Sequence, residues 1–271
     1  MNKNILAIVV LLQLISISKA FANDTAVTEG NIKFFTNLCD QNKSSKKPLR
    51  NSTLLLIDAT DPLKPISANA QNLRDNFIKS FDWKEEGDRV SIVVLSDKPV
   101  ATLDFVTMCA PVPESKITPT MAKLVVQKQI RAFKEGLSYS FEKLIQSNQS
   151  VSKQSSLVES IVEIFRSRRY GFNDSSSKRH LIIASDLYQN TDQLSFYKLC
   201  KGNNCPSFKD SMKDREVDIF MNKFAKLQAN SSTDSVEVYQ FQPRSKMNFS
   251  ITDWWIEYFK FSGISNVNIH H

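Results

Sequence analysis

The chain has 271 residues, of which 41% are hydrophobic and 23% charged, with a formal net charge of +7. That apolar content is enough to bury a core, which suits one large α/β domain or two small ones. The basic excess is modest and scattered. Its clusters, "KSSKK" (Lys43 to Lys47) and "RSRRY" (Arg166 to Tyr170), carry no interleaved aromatics and read as a solvated face or a helix C-terminus, not as a nucleic-acid surface.

The first element is a targeting segment. Lys3 precedes an apolar run from Ile5 to Ile17, and small residues at Ala20 and Ala22 have the spacing of a cleavage site. The run is about 13 residues, short of the roughly 20 that a spanning helix needs. Residues 1–22 are therefore expected to be a cleaved signal peptide, leaving a periplasmic or secreted chain without a membrane span. Loss of Lys3 and Lys19 with it lowers the formal charge to about +5.

Residues 23–50 are polar apart from "IKFFTNLC" and are expected to form a loosely ordered leader, pinned by Cys39. Cys39, Cys109, Cys200 and Cys205 make an even count in an exported chain, where thiols are usually oxidised. The turn-favouring loop "CKGNNC" makes a local Cys200–Cys205 bridge the economical choice and leaves Cys39 for Cys109. With three histidines in the chain and no second close cysteine pair, zinc is the weaker reading.

Regular structure begins at "TLLLIDATDPL". Thr53 to Ile57 lacks the alternation of a half-exposed strand and reads as buried on both faces. Ala70, Leu73, Phe77 and Phe81 then recur at helical spacing, Gly87 turns the chain, and Val90 to Leu95 form a second buried strand. "VATLDFVTM" (100–108) alternates as an edge strand does. Over 119–147, Met121, Leu124, Val125, Ile130, Phe133, Leu137, Phe141 and Leu144 predict an amphipathic helix.

A polar break separates that helix from "LVESIVEIF", with Leu157, Ile161, Ile164 and Phe165 on one face. A third buried strand runs from His180 to Ala184 and stops at Ser185 and Asp186. His180 reads as a strand-boundary residue and not as a base. A cysteine-loop insertion near 198–210, a helix around Val217 to Leu227 and a strand over 235–241 follow. Ile251, Trp254, Trp255, Tyr258 and Phe259 make the core face of a last helix, which Gly263 ends. The alternation of strands and helices predicts one α/β domain over 51–271, a doubly wound and mostly parallel sheet flanked by helices.

Two buried strands end in an aspartate with a hydroxyl close by: Asp58 with Thr60, and Asp186 with Ser185. In an open α/β sheet ligands gather beyond the carboxyl ends of the strands. Oxygen donors of this kind suit a hard cation such as Mg²⁺. In the metal-free alternative, Asp58 caps the next helix or anchors the turn before Pro62.

Together, these residues and the order of elements resemble the von Willebrand factor A fold. "DATDP" is similar to the metal motif of that family at Asp58 and Thr60, while Pro62 stands where a second serine belongs and Asp61 is a candidate replacement. "QSSLVESIVEIF" resembles the later loop and helix, with Ser155 or Ser156 in place of the family threonine and Ser156 carried as the expected ligand. "LIIASDLYQNT" resembles the fourth strand, with Asp186. The resemblance extends over most of residues 50–265 and is nearest to exported bacterial proteins of this type. It implies a metal set of Asp58, Thr60, Asp186, Ser156 and Asp61 with Mg²⁺ as cofactor. It also implies a non-enzymatic, protein-binding role, as a component of an envelope or secretion-associated assembly.

The enzymatic alternative is a metal-dependent, phosphatase-like hydrolase using Asp58, but Thr60 occupies the position of the required second carboxylate. No Gly-x-Ser-x-Gly elbow and no phosphate-cradling glycine loop occur in the chain.

Overall fold

The computed structural model describes residues 26–40, 51–60, 68–96, 98–118, 122–148, 154–170, 172–173, 177–201, 204–227, 229–230, 232–240 and 248–270. The expected signal peptide, Asp61, Pro62 and Met121 lie outside the described residues.

Six strands form one sheet: β1 (Asn51–Asp58), β2 (Arg89–Leu95), β3 (Asp104–Cys109), β4 (Lys178–Ser185), β5 (Ser235–Gln240) and β6 (Asn266–His270), in the order β3-β2-β1-β4-β5-β6. All neighbours are parallel except β2 and β3. Eight helices among the described residues flank it: α1 (26–40), α2 (Ala68–Ser80), α3 (Lys123–Ser147), α4 (Leu157–Arg166), α5 (Phe196–Leu199), α6 (Phe208–Ser211), α7 (Arg215–Lys223) and α8 (Asn248–Phe261). The result is the expected three-layer α/β arrangement.

The apolar run of β1 follows from its place in the middle of these layers. Leu55 and Ile57 pack with Ile92, Val94 and Ile182 under Phe77, Phe133 and Phe141 of α2 and α3. Leu54 and Leu56 face the other way, into a core with Val93, Leu181, Ile183, Phe165 and the Trp254, Trp255 and Tyr258 stripe of α8. A strand covered on both faces has no solvent side to alternate with. Gly263, at φ +91°, ends α8 in the left-handed conformation that glycine adopts without a Cβ penalty.

Both expected disulfides form, Cys39–Cys109 and Cys200–Cys205, and the described residues hold no free cysteine. They fit an oxidising compartment. No helix among the described residues is long and apolar enough to cross a membrane.

Four expectations need correction. Part of the supposedly loose leader is α1, which buries Phe35 edge-on against Phe133, with ring centroids 5.1 Å apart, and is held to β3 by the Cys39 bridge. Leu124 and Val125 are 65% and 53% exposed in the first turn of α3, so the buried stripe starts instead at Val126. Finally, a sixth strand follows α8. The expected edge strand at 100–108 shortens to β3, because Val100–Thr102 turn as a 3₁₀ helix.

Candidate functional site

Because β1 and β4 are parallel neighbours with Ile57 opposite Ala184, the next residues, Asp58 and Ser185, meet at the carboxyl end of the sheet. The strand order turns at this point: the chain leaves β1 toward β2 on one side, while β4 begins the other half. That crevice is where open α/β sheets place ligands.

Asp58 is 5% exposed and both its oxygens are occupied. Oδ1 accepts the Thr60 backbone N–H at 3.1 Å and the Thr60 hydroxyl at 2.6 Å. Oδ2 accepts the hydroxyls of Ser185 at 2.8 Å and Ser155 at 3.2 Å. The donors come from three separate places in the chain, and all of them are neutral. Burial therefore dominates and pushes the Asp58 carboxyl above its ordinary pKa, with the hydrogen bonds from Thr60, Ser185 and Ser155 pulling the other way.

Ser155, one of the two serines left open by the sequence, makes this contact. Ser156 sits at the N-cap of α4 with no side-chain capping bond. Capping falls to Gln189, a fully buried residue whose Oε1 accepts the Val158 N–H at 2.8 Å. Its Nε2 donates to Glu159 at 2.8 Å, and burial raises the Glu159 pKa as well. Ser155 and Asn190 exchange backbone bonds of 3.0 and 2.8 Å, which fixes the loop before α4 against the loop after β4.

Asp186 follows Ser185 at the same rim and is half-buried. Its Oδ1 accepts the Tyr188 N–H at 2.9 Å, closing a tight turn. Leu187 inside that turn has φ +67°, an uncommon conformation for a buried, branched residue. Two contacts hold it there: its N–H donates to Ser185 Oγ at 2.8 Å, and its carbonyl accepts Trp255 Nε1 at 2.9 Å. Gln189 and the Leu187–Trp255 clamp carry no local sequence signal, because each depends on a partner in a distant element.

The oxygen-only donors of Asp58, Thr60, Ser155, Ser185 and Asp186 match the chemistry of a hard cation. Among the described residues, however, no three His, Cys, Asp or Glu side chains form a group that could hold a metal ion. Any ion here would depend on hydroxyls and water beside one or two carboxylates.

No known protein-family profile matches the chain, and no curated protein matches it. Among solved structures, it is similar to proximal thread matrix protein 1 from the mussel byssus, with a TM-score of 0.36 and 12% identity over 82% of this chain and 44% of that chain. A likeness of that degree says nothing about activity.

Proposed function

We propose that the chain is an exported protein-binding module of the von Willebrand factor A type, acting through the rim at Asp58, Thr60, Ser155 and Asp186. The observation that carries the reading is the buried Asp58 carboxylate at the turn of the strand order, ringed among the described residues by neutral donors only. A buried carboxylate without a counter-charge is costly, and a cation relieves that cost. Mg²⁺, when bound, would supply a positive centre that a partner's carboxylate could complete. Asp58 and Asp186 would hold it with the Thr60 and Ser155 hydroxyls or through water. The two disulfides support an oxidising compartment, and the N-terminal sequence pattern supports export to a periplasm or beyond.

The test is thermal unfolding with and without Mg²⁺. The wild type should melt at a higher temperature with Mg²⁺, and Asp58→Ala should not respond. No shift in either protein would favour a metal-free scaffold. Phosphate release from p-nitrophenyl phosphate, abolished by the same substitution, would favour the hydrolase instead.

A further inference from the structure

Among the described residues, the edge of the sheet at β3 is only partly covered. In an antiparallel pair, successive residues alternate in aiming their backbone groups toward the partner strand and away from it. Ala110 donates its N–H to Asp88 O at 2.8 Å, which marks the even-numbered positions of this segment as the ones facing β2. Phe105 and Thr107 therefore aim outward. Accordingly, the Thr107 carbonyl accepts the Thr36 hydroxyl of α1 at 3.1 Å.

At Phe105, two residues earlier, a groove of about 680 Å³ opens between α1, β3 and α3. This is the size range of ligand sites. Ile32, Val106 and Leu144 give it an apolar lining. Of its charged walls, Lys143 is paired with Glu29 at 2.9 Å, and Asp104 is paired with Lys98. Lys33 has no ion-pair partner among the described residues.

Exposed strand edges are ordinarily blunted by charge or covered, because their backbone groups accept another strand. Among the described residues, α1 covers Thr107, and Arg169 holds the Leu103 carbonyl at 3.2 Å and lies 4.8 Å from the Phe105 ring, which leaves the Phe105 backbone beside an apolar groove in which Lys33 has no ion-pair partner. We propose that this groove binds an extended peptide of a partner protein. The peptide adds as a strand to β3 at Phe105, seats an apolar side chain on Ile32, Val106 and Leu144, and brings an acidic side chain to Lys33. Strand addition draws affinity from main-chain bonds and specificity from such pockets. The site does not involve the Asp58 rim.

A random-peptide phage library panned against the full chain in EDTA tests this apart from any ion at Asp58. Enriched peptides should alternate apolar residues with at least one acid and should slow amide exchange at Phe105. Lys33→Glu should weaken them about tenfold. Phe105→Pro, which removes an outward N–H at an edge position where proline is tolerated, should abolish binding. Should Phe105→Pro fail to fold, Lys33→Glu decides. Absence of enrichment, protection elsewhere in the sheet, or unchanged affinity for Lys33→Glu would each overturn the proposal.

Discussion

Ser185 donates its hydroxyl to Asp58 Oδ2 across 2.8 Å, joining residues 127 positions apart at the ends of two parallel strands. The same Ser185 oxygen accepts the Leu187 N–H, so one hydroxyl links the candidate ligand to the strained turn that carries Asp186. Removing it leaves a buried N–H without its partner.

Ser185→Ala should therefore destabilise the protein by about 1–3 kcal/mol, the usual cost of orphaning a buried polar group. Urea denaturation of both proteins measures it. A change below a few tenths would mean that the turn finds another donor and acceptor.

The pH dependence of stability follows from burial of Asp58. Its folded pKa lies above the unfolded value, so the folded state holds the proton more tightly, and this contribution is fully present below about pH 4. It is lost as pH rises through the folded pKa, and Glu159 has the same sign. Asp58→Asn, which cannot ionise, should flatten this decline above about pH 4 when unfolding is followed without divalent ions.

His180 has the opposite sign. It contacts Glu237 at 3.4 Å, with His270 at 2.9 Å from the same carboxylate, but burial outweighs the attraction and lowers its pKa. The neutral imidazole fits the fold, so its contribution is complete above about pH 6.5 and declines as pH falls through the lowered folded value. His180→Gln should remove that part of the acid sensitivity, as read from melting temperatures at a series of pH values.

At the opposite end of the sheet, Arg179 is 1% exposed, donates Nε to Asp234 at 2.9 Å and makes a second bond to the other oxygen. Its guanidinium lies 4.8 Å from the centre of the Phe165 ring. Asp234→Ala removes the carboxylate that balances a buried cation and should cost about 3–5 kcal/mol in chemical denaturation, while the double change with Arg179→Met should recover part of that loss.

The sequence was informative where burial is continuous or periodic. The Thr53–Ile57 run identified a central strand, and the spacing of Trp254, Trp255 and Tyr258 identified a core helix that Gly263 ends. The rim pairing of Asp58 with the end of β4 was also legible, since parallel buried strands that each end in an acid tend to share one edge. By contrast, β6 is five residues long, and its only strand signal is the alternation of Val267 and Ile269, which lean on the core, with exposed polar neighbours; so short a pattern after a helix-ending glycine is easily passed over. Helix α1 buries little beyond Phe35 and Cys39 and owes its place to a disulfide and to Phe133. Ser155 and Ser156 differ by one position at the start of a helix, and tertiary contact with Asn190 decides which one turns toward Asp58. Arg179 and Asp234 lie 55 residues apart, beyond the reach of any local pattern.

The most direct test of the rim is nuclear magnetic resonance of the amide signals while Mn²⁺ is added. The account predicts selective broadening of Thr60, Ser155, Ser185 and Asp186 in the wild type and its loss in Asp58→Asn. Broadening spread over surface acids, or unchanged signals at all four positions, would contradict it.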